Sequence, residues 1–335
     1  MAFREIEITP SSWDELYEIA KRRAARASAS KSRNRLTSIK RLESVRVKTA
    51  CKYVSGRLKR IAVTSPFIDS LHPFHQELIR TMVDEAKYRS CLSRFNSVSN
   101  ILEKIAEEYL REIVRSNDPI SVKKYRRAFF GRLRSLLRGL DDCFESLRAW
   151  QVELAKLPSI DPSAFSLIIA GAPNVGKSSL LRVISRAKPE VKPYPFTTKN
   201  VVVGHLELVG HRIQAIDTPG LLDRPISDKN PIERRALSAL KYLKGLVVFV
   251  FDPTGTCGFP LDFQAAVYKS VEEILNGTLM IPVANKVDIT TPEQASELIR
   301  ILENKRRDLI FISAIRALGV DYLLHRVEEI VLRQL

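Results

Sequence analysis

The chain has no long hydrophobic run and no cysteine pattern of the kind found in membrane or secreted proteins. Its longest uninterrupted apolar run, Leu246–Phe251, has the length of a strand, whereas a membrane helix needs about 20 apolar residues. The first ten residues contain no apolar signal core. The four cysteines show no C-x-x-C spacing, so neither a disulfide framework nor a zinc site is expected. These absences predict a cytoplasmic protein in a reducing compartment.

The charge of the chain is high and uneven. The 335 residues exceed the length of one average domain, so two domains are expected. Residues 1–160 carry 32 Lys and Arg against 19 Asp and Glu, whereas residues 161–335 carry 22 against 19. This imbalance favours a polyanionic partner for the first half, although a solvated surface of charged helices would give the same composition.

Residues 1–158 are predicted to form a basic bundle of helices. A first helix is expected near residue 12, and the basic stretch Lys21–Arg60 forms one helix or two. A third helical stretch is expected from Phe74 to Ile113 and a fourth after Pro119, each with apolar residues at spacings of three and four. Short breaks between long helices are typical of an antiparallel bundle. The fourth helix carries basic residues that face either phosphates or water: Lys123, Lys124, Arg126, Arg127, Arg132, Arg134 and Arg138.

The pattern changes in residues 159–335, where apolar runs of strand length alternate with helical stretches. Gly210 lies between two of these runs and indicates a hairpin. The other runs are separated by lengths of chain that suit helices, which predicts a mostly parallel sheet covered on both faces. Strands are expected at 165–170, 201–208, 212–216, 246–251, 279–284 and 309–312.

One segment of this second half has the pattern of a phosphate-binding loop. Gly171–Ser178 reads G-x-x-x-x-G-K-S and stands between a predicted strand and a predicted helix. Its glycines and backbone N–H groups suit close contact with phosphate. Lys177 would face the β- and γ-phosphates, and the Ser178 hydroxyl is a suitable Mg²⁺ ligand. The residues expected to contact nucleotide here are Gly171, Ala172, Pro173, Asn174, Val175, Gly176, Lys177, Ser178 and Ser179.

Two more segments are expected beside the γ-phosphate. Asp217-Thr-Pro-Gly220 ends a predicted strand, so that the carboxylate would hold Mg²⁺ through water and the Gly220 N–H would meet the phosphate. In the segment 195–199, Thr198 is the favoured residue to sense the γ-phosphate and complete the Mg²⁺ shell, with Thr197 as the alternative. A β-promoting pair at a strand entrance is the competing interpretation. The predicted metal ligands are Ser178, Thr198 and Asp217.

The base is expected to be guanine. Asn285-Lys286-Val-Asp288 follows a predicted strand, and the Asp288 carboxylate can accept hydrogen bonds from guanine N1–H and N2–H₂. Adenine has no such donors on that edge and would leave the carboxylate unpaired. Ser313-Ala314 ends the last predicted strand and is positioned to support the base.

With these motifs the sequence resembles Obg-class GTPases of the translation-factor group and is most similar to the nucleolar GTP-binding protein family, in a short form of archaeal type. The resemblance covers nearly the whole chain, and its family-specific part lies in 71–74 and 157–162. The other matching stretches are 171–179, 194–199, 203–205, 216–223, Asp252 and 257–258.

The resemblance implies a P-loop GTPase domain preceded by an all-α domain, acting in assembly of the large ribosomal subunit. The expected partners are GTP or GDP, the precursor of that subunit and its rRNA, without DNA or membrane. The oligomeric state is left open, with a monomer expected. A nucleotide-sensing binding module with incidental hydrolysis is the main alternative. A membrane or tRNA-modifying GTPase is a weaker one, because no residues for either role are visible.

Slow hydrolysis is expected. Leu221 stands where Ras-like proteins carry the glutamine that orients water, and an apolar side chain cannot do this. Proteins with a similar loop hold K⁺ with an asparagine at the position of Asn174, although this residue is equally suited to stabilise the loop. The expected cofactors are therefore Mg²⁺ and, in the first interpretation, K⁺. The residues expected to serve hydrolysis are Lys177, Thr198, Gly220 and Asn174, and no catalytic base is visible.

Overall fold

The computed structural model of the chain describes residues 6–157, 159–185, 189–194, 200–218, 220–302 and 307–334. The chain forms two compact units. The helical unit comprises Ala2–Phe67 and Val83–Ala155, and the P-loop unit comprises Ile68–Met82 and Lys156–Leu335. The predicted order of an all-α domain followed by an α/β GTPase domain is confirmed.

The described elements are eleven α-helices, three short 3₁₀ helices and seven strands. The helices are α1 (Trp13–Ala25), α2 (Arg35–Thr64), α3 (Pro73–Met82), α4 (Glu85–Arg115), α5 (Pro119–Arg138), α6 (Asp141–Ala155), α7 (Lys177–Ile184), α8 (Pro231–Ser238), α9 (Leu261–Ile274), α10 (Pro292–Leu302) and α11 (Val320–Gln334). The strands are β1 (Ser166–Ala170), β2 (Glu190–Pro193), β3 (Asn200–Leu208), β4 (His211–Asp217), β5 (Gly245–Phe251), β6 (Leu279–Ala284) and β7 (Ile310–Phe311). None of the described helices is both long and apolar enough to cross a membrane.

The helical unit contains α1, α2, α4, α5 and α6, with the two longest helices, α2 and α4, packed together. Two predicted helical stretches are each divided. Asp84 ends the first part of the stretch 74–113 because its side chain accepts a hydrogen bond from the Lys87 N–H and so caps a new helix, α4. The stretch after Pro119 ends at Gly139, where α5 stops and α6 follows.

Two cysteines of the helical unit form a disulfide, and the expectation of none was wrong. Cys91 in α4 is bonded to Cys143 in α6, with their Cα atoms 5.3 Å apart. The two residues are 52 positions apart in sequence, and a pairing of this kind depends on which helix faces meet in space. Cys51 and Cys257 are free and buried.

The P-loop unit contains a sheet of seven strands in the order β2-β3-β4-β1-β5-β6-β7. The pairs β2–β3 and β3–β4 are antiparallel, and the remaining pairs are parallel. The hairpin predicted at Gly210 joins β3 to β4, and Gly210 has a φ of 74°. Strand β2 was not predicted, because it is short and its side chains are partly or fully exposed.

Helices cover both faces of this sheet. Along β1 the buried residues alternate, so that Ile168 and Ala170 join one apolar cluster while Leu167 and Ile169 join the other. Helices α8, α9 and α10 contribute to the first cluster, and α7 and α11 contribute to the second. Because both faces are buried, the central strands are apolar throughout, as the sequence predicted.

Helix α3 belongs to the P-loop unit although it lies within the helical half of the sequence. The predicted division into residues 1–158 and 159–335 therefore differs from the structure at Ile68–Met82. Phe74 and Leu78 of α3 are each only 1% exposed and lie in the same apolar cluster as α8 and the strands. The helix packs against α8 and the short 3₁₀ helix that follows it. Burial of this apolar face explains the grouping.

Candidate functional site

The predicted motifs lie together at one edge of the sheet. The P-loop follows β1, Asp217 ends β4, Asn285 follows β6, and Ser313 lies just after β7. Since β4, β1, β5, β6 and β7 are parallel neighbours, their carboxyl ends face the same side. In open α/β sheets this edge is where ligands bind.

Two glycines allow the P-loop to pack against its neighbours. Gly176 has a φ of 103°, and a Cβ there would lie 2.2 Å from Asn285 Nδ2. Gly171 has a φ of 140°, and a Cβ there would lie 2.3 Å from the Val250 carbonyl oxygen. Both contacts are too short for any side chain. The loop conformation therefore requires glycine at both ends.

The Lys177 ammonium lies within the curve of the loop. It donates hydrogen bonds to the carbonyl oxygens of Gly171, at 2.8 Å, and Ala172, at 2.7 Å. Lys177 is 6% exposed, and α7 begins at this residue, so the cation and the positive end of the helix dipole coincide. Asn174 stands in the same loop with a left-handed φ of 60°.

A second polar pair lies beside the loop. Ser178 Oγ donates to Asp217 Oδ2 at 2.6 Å, and Asp217 is fully buried. The other carboxylate oxygen, Oδ1, has no hydrogen-bond partner within the described part of the chain. Burial raises the pKa of Asp217, against the hydrogen bond from Ser178 and the charge of Lys177. Hard oxygen ligands with an unpaired buried oxygen fit a divalent cation such as Mg²⁺.

Asn285 joins three loops of the site. Its Nδ2 donates to the Val175 carbonyl of the P-loop at 2.8 Å, and its Oδ1 accepts from the Ala314 N–H at 2.9 Å. The residue is 3% exposed. The P-loop, the segment after β6 and the segment after β7 are therefore held in one arrangement by a single side chain.

Lys286 is fixed by residues to which the sequence analysis gave no role. Its Nζ donates to Asp252 Oδ2 at 2.6 Å and to Thr256 Oγ1 at 2.7 Å. Asp252 is fully buried and also accepts from the Thr254 and Cys257 N–H groups. Burial alone would raise the pKa of Asp252, but the hydrogen bonds from Lys286 and Thr254 outweigh it and lower the pKa. The family resemblance included Asp252 but gave no reason for it.

Asp288 lies at the rim of the same edge. A hydrogen bond from Ser313 is the largest cause that lowers its pKa, and the charge of Arg316 contributes. Arg316 Nε lies 3.3 Å from Asp288 Oδ2. The carboxylate is therefore ionised and able to accept hydrogen bonds near neutral pH.

The remaining predicted residues are only partly described. Gly220 has a φ of 77° and precedes Leu221, which is 1% exposed within the core. Thr197 and Thr198 lie outside the described residues.

Two family models match the chain, one in each half. A family model described as the NOG1 N-terminal helical domain matches residues 3–161. A second, described as a 50S ribosome-binding GTPase, matches residues 166–286.

Curated relatives match across both domains. Nucleolar GTP-binding protein 1 of Eremothecium gossypii is 34% identical over 89% of this chain and 46% of the relative. The protein of the same name from Encephalitozoon cuniculi is 34% identical over 83% of this chain and 54% of the relative. The chain thus spans about half the length of the curated relatives it matches.

These names also correct one prediction. The expectation of a cytoplasmic protein is wrong by this comparison, because the relatives are named for the nucleolus. Both domain models match in order, and the relatives align over most of the chain. The chain combines an N-terminal helical domain of the NOG1 type with a GTPase domain, and over most of its length it is similar to nucleolar GTP-binding protein 1.

Proposed function

We propose that the chain is a GTP-hydrolysing switch with slow intrinsic turnover that acts in assembly of the large ribosomal subunit. The observation that carries the proposal is the guanine-type arrangement at the sheet edge, where Asn285 joins the P-loop to the segments carrying Asp288 and Ala314. A carboxylate ionised in this position selects guanine, because only guanine offers two donors on that edge. In this proposal Lys286 lies along the base, and Ser313-Ala314 supports it.

The phosphates would be bound by the loop from Gly171 to Ser179. Its backbone N–H groups and the start of α7 attract anions. The Lys177 ammonium, now bonded to two loop carbonyls, would turn to the β- and γ-phosphate oxygens. Ser178, Asp217 and Thr198 would hold Mg²⁺, which supplies charge neutralisation on the phosphates when bound. The Gly220 N–H would contact the γ-phosphate.

Hydrolysis is proposed to be slow without a partner. The buried Leu221 side chain offers no polar atom to orient the attacking water. Asn174 is proposed to help bind K⁺ beside the phosphates and so add positive charge where negative charge develops. Equal single-turnover rates in KCl and in NaCl would rule out this role for Asn174.

The helical unit is proposed to dock the switch on ribosomal RNA. Its support is the excess of 32 Lys and Arg over 19 Asp and Glu in residues 1–160, because RNA phosphates attract such surfaces. The description of the matching GTPase family model as ribosome-binding is consistent with this proposal.

Single-turnover GTP hydrolysis with and without purified large-subunit particles tests the switch. We expect the particles to accelerate hydrolysis, and we expect them to bind the chain more tightly in one of its two nucleotide states. An unchanged rate, together with equal particle affinity in GDP and in a GTP analogue, would instead support a nucleotide-sensing binding module in which hydrolysis is incidental. Substitution of Asp288 by Asn is the matched control, because guanine nucleotide binding should fall while docking through the helical unit persists.

A further inference from the structure

Helix α2 lines two grooves of the helical unit. The first has a volume of about 510 Å³ and lies between α2 and Arg23 of α1. The second has a volume of about 580 Å³ and lies nearer the start of α2, where Ser28–Ser30 and Val114 complete its lining. We refer to the two together as the α2 groove, whose basic residues are Arg23, Lys40, Arg41, Lys48, Lys52, Arg57 and Arg60.

The groove keeps a large positive charge. Helix α2 carries nine Lys and Arg residues and one acidic residue, Glu43. Glu43 is 4% exposed and is paired with Arg46 and Arg126, so its charge does not reach the groove. Lys48 and Lys52 are exposed and form no ion pair with any residue that the structure describes. At the far end of the groove Glu7 pairs with Arg57 and Arg60 and neutralises part of their charge.

The shape of the groove suits a polymer rather than a small anion. Its lining runs from Thr37 to Arg60, which at about 1.5 Å per residue is a length of about 35 Å. Small residues such as Ser44, Thr49 and Gly56 lie between the basic ones. A Cβ built at Gly56 would meet nothing within 4 Å. A backbone can therefore approach the helix closely at Gly56.

The groove also offers contacts other than charge. The Arg23 guanidinium lies 4.3 Å from the centre of the Tyr53 ring, which makes a planar surface on which a base can stack. Hydroxyl groups of Ser28, Ser30 and Thr49 line the same grooves and are suited to bond phosphate and ribose oxygens. A planar surface beside a row of cations matches nucleic acid better than a uniformly acidic peptide.

We propose that the α2 groove is the surface of this chain that binds the sugar–phosphate backbone of RNA. This inference rests on the proposed docking function and locates it on α2 rather than on α5. Most basic residues of α5 are exposed as well, but Arg126 is partly buried and paired with Glu43, and Arg134 lies 5.8 Å from the Trp13 ring. Equal changes of charge on α2 and on α5 can therefore be compared for their effect on RNA binding.

The test compares two double variants of the full chain. One carries Lys48→Glu and Lys52→Glu in the α2 groove, and the other carries Lys124→Glu and Arg132→Glu on α5, with the same change in net charge. The probes are a fluorescein-labelled RNA hairpin, followed by anisotropy across a KCl series, and purified large ribosomal subunits, followed by sedimentation. The melting temperature and the basal GTPase rate show whether each variant is folded.

We expect the α2 variant to bind the hairpin at least about tenfold more weakly, while the α5 variant stays within about threefold of the wild type. The slope of log affinity against log salt should fall by about 1.4 to 1.8 for two lost phosphate contacts. Equal losses in both variants, or none in the α2 variant, would overturn the assignment to α2 while leaving docking intact. Failure of the wild-type chain to bind either probe would instead refute the docking function itself.

If the α2 variant fails to fold, the pair Lys48→Gln and Lys52→Gln replaces it. The expected loss is then smaller and has the same direction, and an unchanged affinity for the hairpin would equally overturn the proposal. Equal binding of wild type to the hairpin and to phosphatidylserine vesicles at the same salt concentration would also overturn it, since the groove would then select charge alone.

Discussion

At the scale of single residues, the site depends on how Lys286 is held. Its backbone has a left-handed φ of 64°, and its ammonium is fixed by the buried carboxylate of Asp252. That carboxylate also orders the turn from Thr254 to Cys257 through backbone N–H groups. A base-binding side chain that is positioned before the ligand arrives loses less entropy on binding. In the proposed site, Asp252 would thus position Lys286 for the base.

Substitution of Asp252 by Asn should lower the affinity for GDP about tenfold, equal to about 1.4 kcal/mol, and should speed GDP release. The volume of the side chain is kept, but the charge that faces Lys286 at 2.6 Å is lost. Stopped-flow release of a fluorescent GDP analogue measures the effect. Asp262→Asn, an exposed carboxylate on α9, is the control. Release rates that agree in all three proteins would show that Lys286 does not depend on Asp252.

A second residue-scale feature is the buried imidazole of His75 on α3. Burial lowers the pKa of His75 to about 4, and the charge of His72 acts in the same direction. A hydrogen bond with the Ile160 backbone and the charge of Asp161 oppose this shift. The folded chain therefore keeps the imidazole neutral at pH values where the unfolded chain, with an ordinary pKa near 6.5, takes up a proton.

Because of this difference in pKa, the free energy of unfolding falls as the pH falls. The contribution of His75 is fully present above about pH 6.5 and is lost as the pH falls toward 4; at pH 5 the loss amounts to about 2 kcal/mol. The urea midpoint should therefore fall more steeply between pH 7.5 and pH 5 for wild type than for His75→Gln. His325→Gln, at an exposed position, should follow the wild type. Parallel curves for wild type and His75→Gln would contradict the assignment.

At the scale of elements, the contact between α3 and α8 links α3 to the part of the chain that follows Gly220. Helix α8 begins 11 residues after Gly220, and it packs on α3. Glu77 of α3 and Arg235 of α8 form an ion pair at 3.4 Å, and Tyr194 donates a hydrogen bond to the Ala236 carbonyl at 2.9 Å. Tyr194, just before the proposed γ-phosphate contact of segment 195–199, is thereby bonded to α8, the helix on which α3 packs.

Amide hydrogen exchange should report this attachment. In the full chain we expect the α3 amides to exchange more slowly with a GTP analogue than with GDP, because γ-phosphate contacts order the segments on which α8 depends. Mass spectrometry of α3 peptides measures the difference, and α5 peptides serve as the reference. Identical exchange of α3 in both nucleotide states would mean that α3 does not respond to the switch.

Elements also show what the sequence could and could not predict. The parallel strands, the hairpin at Gly210 and the convergence of the motifs were predictable, because long apolar runs and glycine-rich loops carry local signals. The division at Asp84 was also readable in principle, since an aspartate before Glu85 is a typical helix cap. The partner of α3 and the bond between Cys91 and Cys143 were not predictable, because periodicity identifies an apolar face without identifying what covers it.

At the scale of the whole molecule, the P-loop unit is assembled from two separate parts of the chain. A fragment that begins at Ser159 would lack Ile68–Met82 and expose the apolar surface that Phe74 and Leu78 now cover. Any experiment that removes the helical unit to test docking must therefore retain α3.

A fragment spanning 156–335 should be less stable than the same fragment with residues 68–82 joined through a flexible linker. Burial of a Phe or Leu side chain contributes about 1.5–3 kcal/mol, so the loss should be about 3–6 kcal/mol for Phe74 and Leu78 together. Urea unfolding in saturating GDP measures it, and a linked segment with both residues changed to Ser is the control. Equal midpoints with and without the segment would show that α3 is dispensable for this fold.

The interleaved position of α3 has a consequence for the newly made chain. During translation Met82 leaves the ribosome about 150 residues before α8, which at about 5–20 residues per second is a delay of about 8 to 30 s. Throughout that time Phe74 and Leu78 lack the surface of α8 and the sheet that covers them in the folded chain. Residues 68–82, the first part of the P-loop unit to be made, therefore stay exposed to solvent and accessible to chaperones during this delay. The helices of the other unit can already fold in that time.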